Sequence, residues 1–464
     1  MRRTVFFFLI LPTSFIYAQF DVRGFISDKD GAKLPGAIVH LVGTYNACQS
    51  AADGSFEFRN IKSKAVEIEV RQIGYSTIRK QISLPQSQPE VFILEHISYP
   101  VKEVIIEAGR AGNRSAMAHT TISGEELAKR NFGQDLPMLL STEPGVVVNS
   151  DAGAGIGYTG LRVRGSDPTR INVTVNGIPM NDAESHGLFW VNMPDLASSV
   201  SSVQLQRGVG TSTQGAGAFG ATLNLQTNEV RSKAYASYSG SAGSFNTLRN
   251  TFEVGTGLMN GFTFDMRLSK INSDGFIDRA ASDLKSFWLS GAWLSKNTSL
   301  RANIFSGKEK TYQAWYGVPQ DSFAVNPTYN PAGLHYTADG NEVFYDNETD
   351  NYQQDHYQLF VNHKAGTRLN VQAALHYTRG RGYYEQYRQQ DELADYGVDP
   401  LLIGSIQQIL GTDTITAAAD TIVKSDLIRK RWLDNHFYGG VFSGEWDATN
   451  RVQFAFGGGA NVYT

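Results

Sequence analysis

From Thr251 onward the chain alternates. Phe252, Val254 and Leu258 fall opposite Thr251, Glu253 and Gly257. After Asn260-Gly261 the pattern resumes, with Phe262, Phe264, Met266 and Leu268 set against Thr263, Asp265, Arg267 and Ser269. Such alternation sends apolar side chains to one face of a strand and polar ones to the other. An Asn-Gly pair between two such runs is a strong hairpin signal. Similar runs flank Lys296-Asn297-Thr298, Lys364 to Thr367 and Asp447 to Asn450, and Leu369, Val371, Ala373, Leu375 and Tyr377 share one apolar face. The connections between these hairpins lengthen. Asn272 to Lys285 is modest, whereas Gly307 to Asp355 and Gly380 to Leu433 are long, polar and rich in aromatics. Short turns at one end and long loops at the other predict an antiparallel transmembrane β-barrel from 229 to 464.

Composition narrows the alternatives. A chain of 464 residues should hold more than one domain, and a net charge of −4 argues against a nucleic-acid binder. Mean hydropathy is −0.28, and only one long apolar run occurs, so no helix spans a membrane in the mature protein. That run, Val5 to Ile16, follows Arg2 and Arg3 and precedes Ala18. Residues 1–18 are therefore expected to be a secretory signal peptide. Cys48 is the single cysteine, which excludes an intrachain disulfide, and none follows the cleavage point to carry a lipid.

Residues 19–96 show short strand candidates separated by turn signals: Val22 to Ile26, then Asp30-Gly31, Pro35-Gly36 before Ala37 to Leu41, Asp53-Gly54 before Ser55 to Phe58, and alternating Val66, Ile68 and Val70. This spacing predicts a small β-sandwich. The aspartates beside Gly31 and Gly54 fit turn chemistry better than calcium ligation.

The stretch 118–228 reads as a mixed α+β globule. Ser123 and Glu126 have capping-box spacing ahead of Leu127, and Asp135 with Pro137 suits the start of a second short helix ending before Pro144-Gly145. Val146 to Val148, Leu161 to Arg164, Ile171 to Val175 and Val203 to Leu205 supply strands. Gly215 to Gly220 matches G-x-G-x-x-G, but a strand from Thr222 to Thr227 follows it in place of a helix, so a dinucleotide site is not expected.

Two spaced Arg-Gly pairs, Arg164-Gly165 and Arg207-Gly208, each end an alternating run. The first leads to Asn176-Gly177, and the second leads through the glycine-rich stretch to the strand at Thr222. This order resembles the plug domain of TonB-dependent outer-membrane receptors. The LPGA, DG-x-F and GY landmarks of 19–96 likewise resemble the carboxypeptidase regulatory-like (transthyretin-like) domain found in Bacteroidetes-type members. Lys308 to Pro319 and Tyr377 to Tyr387 look like segments of that group. The resemblance implies a mainly β protein: a sandwich, an α+β plug at 118–228 and an outer-membrane barrel. It implies a TonB box in the linker 97–117, at Glu103, Val104, Ile105, Ile106, Glu107 and Ala108; by residues alone this is also an ordinary linker strand, or the last strand of the sandwich. It implies a latch in which Arg164 and Arg207 meet glutamates on the barrel wall.

About nine barrel strands are legible, where a lumen wide enough for a plug belongs to barrels of about twenty-two. The expectation is an N-terminal fragment of a longer receptor. Its expected role is active uptake of an iron chelate (a siderophore), with haem, cobalamin, peptide or glycan as other cargoes. The implied partners are TonB with its inner-membrane motor complex, outer-membrane lipid and a small-molecule substrate. A surface adhesin is the competing class. Candidate ligand contacts are His186, Phe189, Trp190, Tyr312, Trp315 and Tyr316. No catalytic constellation, metal-ligand spacing or cofactor motif is found, so an enzyme is not expected.

Overall fold

The structure, a computed structural model, describes residues 19–29, 31–72, 75–95, 110–111, 117–209, 219–227, 230–403, 408–410, 413–415, 420–449 and 452–464. The expected signal peptide 1–18, the box Glu103 to Ala108 and Gly215 to Ala218 of the glycine-rich run lie outside them. The chain divides into two compact units, Met1–Lys102 and Glu103–Thr464.

The first unit is the expected sandwich. It comprises β1 (Phe20–Asp28), β2 (Ile38–Leu41), β3 (Ala47–Gln49), β4 (Ser55–Ile61), β5 (Ala65–Arg71), β6 (Ile78–Ser83) and β7 (Glu90–Leu94). One sheet runs β4-β1-β7 and the other β3-β2-β5-β6. Alternate residues of both, among them Val22, Ile26, Val39, Ile68, Val70, Phe92 and Leu94, fill one shared core. Of the aspartates beside Gly31 and Gly54, Asp30 lies outside the described residues and Asp53 is satisfied locally. Asp53 Oδ1 accepts from the Ser55 amide and hydroxyl, and Asp28 Oδ1 from the Ala32 amide. Gly54, at φ +78°, could not carry a side chain, because a Cβ would stand 2.5 Å from the Ile26 carbonyl oxygen.

In the second unit, β8 (His119–Ser123) leads into α1 (Gly124–Arg130) and α2 (Leu136–Leu139), followed by β9 (Val146–Ser150), β10 (Thr159–Val163), β11 (Ile171–Val175), β12 (Ile178–Pro179), β13 (Val200–Arg207) and β14 (Ala221–Thr227). Ser123 caps α1 as expected, accepting from the Glu126 amide at 3.2 Å. The reciprocal half of the box is not made, because Glu126 pairs with Arg130 one turn on. The sheet order is β12-β11-β14-β13-β8, with β11 and β14 parallel. Asn176 (φ 54°) and Gly177 (φ 82°) form the two-residue hairpin between β11 and β12. The Asn176 side chain, 2% exposed, is bonded to Thr227 through both its amide and carbonyl, which ties this turn to β14.

The wall is one antiparallel meander of nine strands in sequence order. β15 (Tyr235–Gly243), β16 (Thr247–Gly255), β17 (Phe262–Ser273), β18 (Ser282–Leu294) and β19 (Thr298–Tyr312) come first. The loop after β19 holds α3 (Gln320–Phe323) and a small hairpin, β20 (Leu334–Tyr336) with β21 (Glu342–Phe344). β22 (Thr349–Ala365) and β23 (Leu369–Glu392) follow, then paired short strands β24 (Leu401–Ile403) with β27 (Asp420–Ile422) and β25 (Gln408–Leu410) with β26 (Asp413–Ile415). β28 (Lys424–Thr449) and β29 (Val452–Tyr463) complete the sheet. Asn260-Gly261 turns with φ 50° and 85°, as the alternation required.

The long loops are shorter than the sequence suggested, because the strands run on. β23 and β28 hold 24 and 26 residues, where a membrane crossing needs about 9–11. Cross-strand polar pairs sustain the ladder beyond an apolar span, including Arg379 with Asp434, Lys430 with Glu385 and Tyr387 with Asp426. No helix among the described residues is long and apolar enough to cross a membrane.

Candidate functional site

The plug packs on the inward face of the wall, and the core of the unit runs continuously from one to the other. Leu127, Val173, Trp190, Leu205 and Leu223 of the plug share it with Trp288 and Phe305, which project from β18 and β19. Trp288, Phe305 and His356 occupy one cross-strand row and stack face to face, with centroids 4.2 and 4.3 Å apart. Beside them the plug main chain touches the wall. A Cβ on Gly307 would stand 2.0 Å from the Asn192 carbonyl oxygen, and Ser286 donates to the Pro194 carbonyl at 2.7 Å.

Asp195 holds this seam. Its carboxylate, wholly buried, accepts from Arg249 Nε at 3.1 Å and Nη2 at 3.3 Å, from Thr251 at 2.6 Å and from Ser269 at 2.7 Å, all on the wall. Ser198 (2.7 Å) and Asn131 (3.2 Å) of the plug donate as well. Arg267 stands 3.7 Å from the carboxylate and also donates to the Asp195 carbonyl. Burial alone would raise the Asp195 pKa, but the two guanidinium charges and the hydroxyl donors outweigh it and hold the group below its usual range.

Neither arginine of the two Arg-Gly pairs meets a glutamate of the nine wall strands among the described residues. Arg207, although buried, pairs with Glu143 of the plug itself at 3.1 Å and donates to the Pro144 carbonyl and the Thr120 hydroxyl. It braces the plug internally instead of meeting a glutamate on the wall, because its strand β13 lies in the plug sheet beside β8. Arg164 sits at φ 51° with its side chain exposed, its amide donating to the Gly145 carbonyl. Among the described residues the ion pairs between plug and wall run the other way, with Asp195 on the plug and Arg249 and Arg267 on the wall.

Away from Asp195 the seam opens into a cavity of 500 Å³ between the plug segment around residues 179–192 and the wall. Tyr158, Phe189, Trp315, Tyr384 and Phe437 give it aromatic surface. The Tyr158 ring meets Phe189 at 6.3 Å and Trp315 at 5.6 Å, edge to face. Glu309 and Asp350 enter from adjacent wall strands at diagonal register positions, and Tyr158 donates its hydroxyl to Asp350. Burial and these two acids push the Tyr158 hydroxyl well above its usual pKa. Asn192 is 7% exposed, and its Oδ1 has no hydrogen-bond partner among the described residues. Close by, Asp135 stands at the N-cap of α2 as expected, but its side chain makes no capping bond; it accepts instead from the Thr159 hydroxyl at 2.9 Å, and burial pushes it up to about 7.

Of the ligand contacts expected from sequence, Phe189 and Trp315 line the cavity. His186 is exposed at φ 59° in the same plug loop, between the lining residues Ser185 and Gly187. Trp190 is a core residue, 5% exposed, and is corrected to a packing role. Tyr312 is corrected too: its hydroxyl anchors the following loop by donating to the Tyr345 carbonyl at 2.6 Å. Tyr316 stands outside the lining and bonds Gln386. Tyr158, Tyr352, Tyr384 and Phe437 were not anticipated, because only the register of the wall strands and the packing of the plug against them bring these residues to one place. No group of three or more potential metal ligands occurs among the described residues.

Comparison with known proteins agrees with this geometry. Residues 112–222 match the family described as TonB-dependent Receptor Plug Domain, and residues 22–106 match the CarboxypepD_reg-like domain. A ferric enterobactin receptor of Pseudomonas aeruginosa is 24% identical over 148 residues, covering 30% of this chain and 20% of its own length. The ferric-catecholate import receptor Fiu of E. coli K12, in its open form, superposes with a TM-score of 0.51 at 16% identity, over 75% of this chain and 49% of its own. The ferric preacinetobactin receptor BauA of Acinetobacter baumannii gives 0.52 at 12% identity, over 75% and 47%. The chain thus spans about half the length of these solved structures. A plug seated on an antiparallel strand wall defines the class of TonB-dependent receptors. This chain fits a member that carries an N-terminal carboxypeptidase regulatory-like domain.

Proposed function

We propose that the protein is an outer-membrane receptor that imports a scarce nutrient, in the first place an iron chelate of the siderophore type, driven through TonB. The observation that carries this reading is the divided seam: the plug is welded to the wall at Asp195, yet further along an aromatic cavity is left between them. At 500 Å³ the cavity lies within the range of small-molecule sites, roughly 300–1,000 Å³. Tyr158, Phe189, Trp315 and Tyr384 offer ring faces and edges to the body of a chelate. Similarity to the ferric enterobactin, ferric-catecholate and ferric preacinetobactin receptors supports an iron chelate as cargo.

In this reading residues 1–18 direct export, and TonB adds a strand along Glu103 to Ala108. Main-chain hydrogen bonds would supply the affinity there and alternate side chains the specificity. A pull on that segment loosens the plug and frees a path for cargo. No covalent step belongs to the reading. The test is accumulation of labelled iron by iron-starved cells that carry the receptor as their sole importer. Accumulation should require the proton gradient and should vanish on deletion of Glu103 to Ala108, with the amount of receptor in the membrane unchanged. Undiminished accumulation by the deletion, or surface capture without accumulation as for an adhesin, would refute it.

A further inference from the structure

The outward face of the wall carries a feature that uptake does not use. Alternation on β17 places Phe262, Phe264, Met266, Leu268 and then Lys270 on this face, opposite the inward Ser269 and Ile271. On β18 the same face reads Trp293, Leu289, Phe287 and Lys285, and on β19 Leu300, Ile304, Ser306 and Lys308. The register makes the three lysines direct neighbours: Lys270 opposes Lys285, and Lys285 opposes Lys308. The same row runs from Asn250 at one end through Gln353 to Arg381 at the other.

Like charges directly opposite one another destabilise a sheet. The acids on this face answer only the flanks. Asp283 reaches Lys270 at 3.9 Å, and Asp355 is engaged by Ser306 at 2.6 Å and Arg381 at 3.9 Å. Lys285 and Lys308, both exposed, have no ion-pair or hydrogen-bond partner among the described residues. Directly beneath them a groove is lined by Tyr238, Phe252, Leu268 and Phe287.

The row also has a definite height. Lys270 lies eight residues along β17 from Phe262, at the short-turn end. At about 3.3 Å per residue and a tilt of roughly 40° that is about 20 Å, near the top of an apolar band about 25 Å tall. The lysines therefore stand at headgroup level on the long-loop side, with apolar side chains below and polar Asn272, Asp283, Lys310 and Asn351 above. Like-charged lysines at that depth need an anion that arrives with the membrane.

We propose that Lys270, Lys285 and Lys308 bind the phosphate groups of a phosphorylated outer-leaflet lipid whose acyl chain lies in the groove of Phe252, Leu268 and Phe287. This takes from the proposed function only that the wall is embedded in the outer membrane; cargo and TonB play no part. The test uses the full-length receptor in detergent, with retention of a bis-phosphorylated acylated disaccharide lipid measured by native mass spectrometry. K285Q/K308Q should retain it at least about tenfold less well, since a basic residue near an anionic lipid surface is worth about a factor of five to ten. K285R/K308R should retain it like the wild type, and the enzymatically dephosphorylated lipid should bind the wild type no better than the double Gln variant. Equal retention by K285Q/K308Q, equal binding of dephosphorylated lipid, or full displacement by millimolar inorganic phosphate overturns the proposal. If the double variant does not insert, K308Q alone gives the same readout. Iron accumulation measured in parallel separates the two readings: lost lipid retention with intact uptake is expected here, whereas lost uptake in the wild type bears on the receptor function alone.

Discussion

One cross-strand row of the wall, Arg249–Ile271–Leu284–Glu309–Tyr352, meets the plug in two opposite ways. At its first end the wall presents a cation and the plug answers with Asp195, so that every buried charge has a partner of opposite sign. Further along, the wall presents Glu309 and Asp350, and the plug answers with a phenol, Tyr158, and with Asn192, whose Oδ1 is an acceptor without a partner among the described residues. No lysine or arginine lines that cavity among the described residues. The contrast separates a weld from a binding surface. A buried ion pair is costly to break because either half is then stranded, while a set of acceptors around aromatic rings is completed only by something that enters.

The largest expected effect follows from removing the weld. Asp195→Ala strands Arg249 and Arg267 in the seam and should cost about 3–5 kcal/mol of plug seating, read as a lower melting temperature and faster proteolysis within the plug. Unchanged melting would mean that the charges are hydrated in place. The two Arg-Gly arginines should then differ from each other. Arg207→Ala leaves the half-buried Glu143 without its donor and should cost about 1.5–3 kcal/mol, whereas exposed Arg164→Ala should lie within about 0.5 kcal/mol. Equal losses would restore a wall-facing latch. Gly307→Ala drives a methyl into the Asn192 carbonyl and should cost about 1–3 kcal/mol by overpacking; a neutral result would show that the plug segment slides freely over the wall.

The smallest effect is graded with pH. Asp135 has its pKa raised from 3.8 to about 7, so between those values the folded plug binds more protons than the unfolded chain. Its contribution to stability is complete below pH 3.8 and is lost as pH rises toward 7, with a slope of at most about 1.4 kcal/mol per pH unit. Asp135→Asn should flatten that slope in thermal melts, and a slope unaltered by the substitution would place the titration elsewhere.

Much of the architecture was fixed by local chemistry. Period-two alternation, Asn-Gly pairs and Asp-Gly turns act over a few residues, so the sandwich, the hairpins of the wall and the strands of the plug could be read directly, as could the Ser123 cap. Two aromatic contacts, Phe189 and Trp315, were legible for the same reason: both lie in loops joining readable elements. What only the tertiary structure decided is which buried charges meet. Asp195 lies 54 and 72 residues from the arginines it binds, Arg207 lies 64 from Glu143, and Tyr158 lies 192 from Asp350. Nothing in the pattern of a strand encodes the partner on its inward face. A polar residue there satisfies the alternation whatever its sign, and the sign is chosen by the group that the packed partner brings against it.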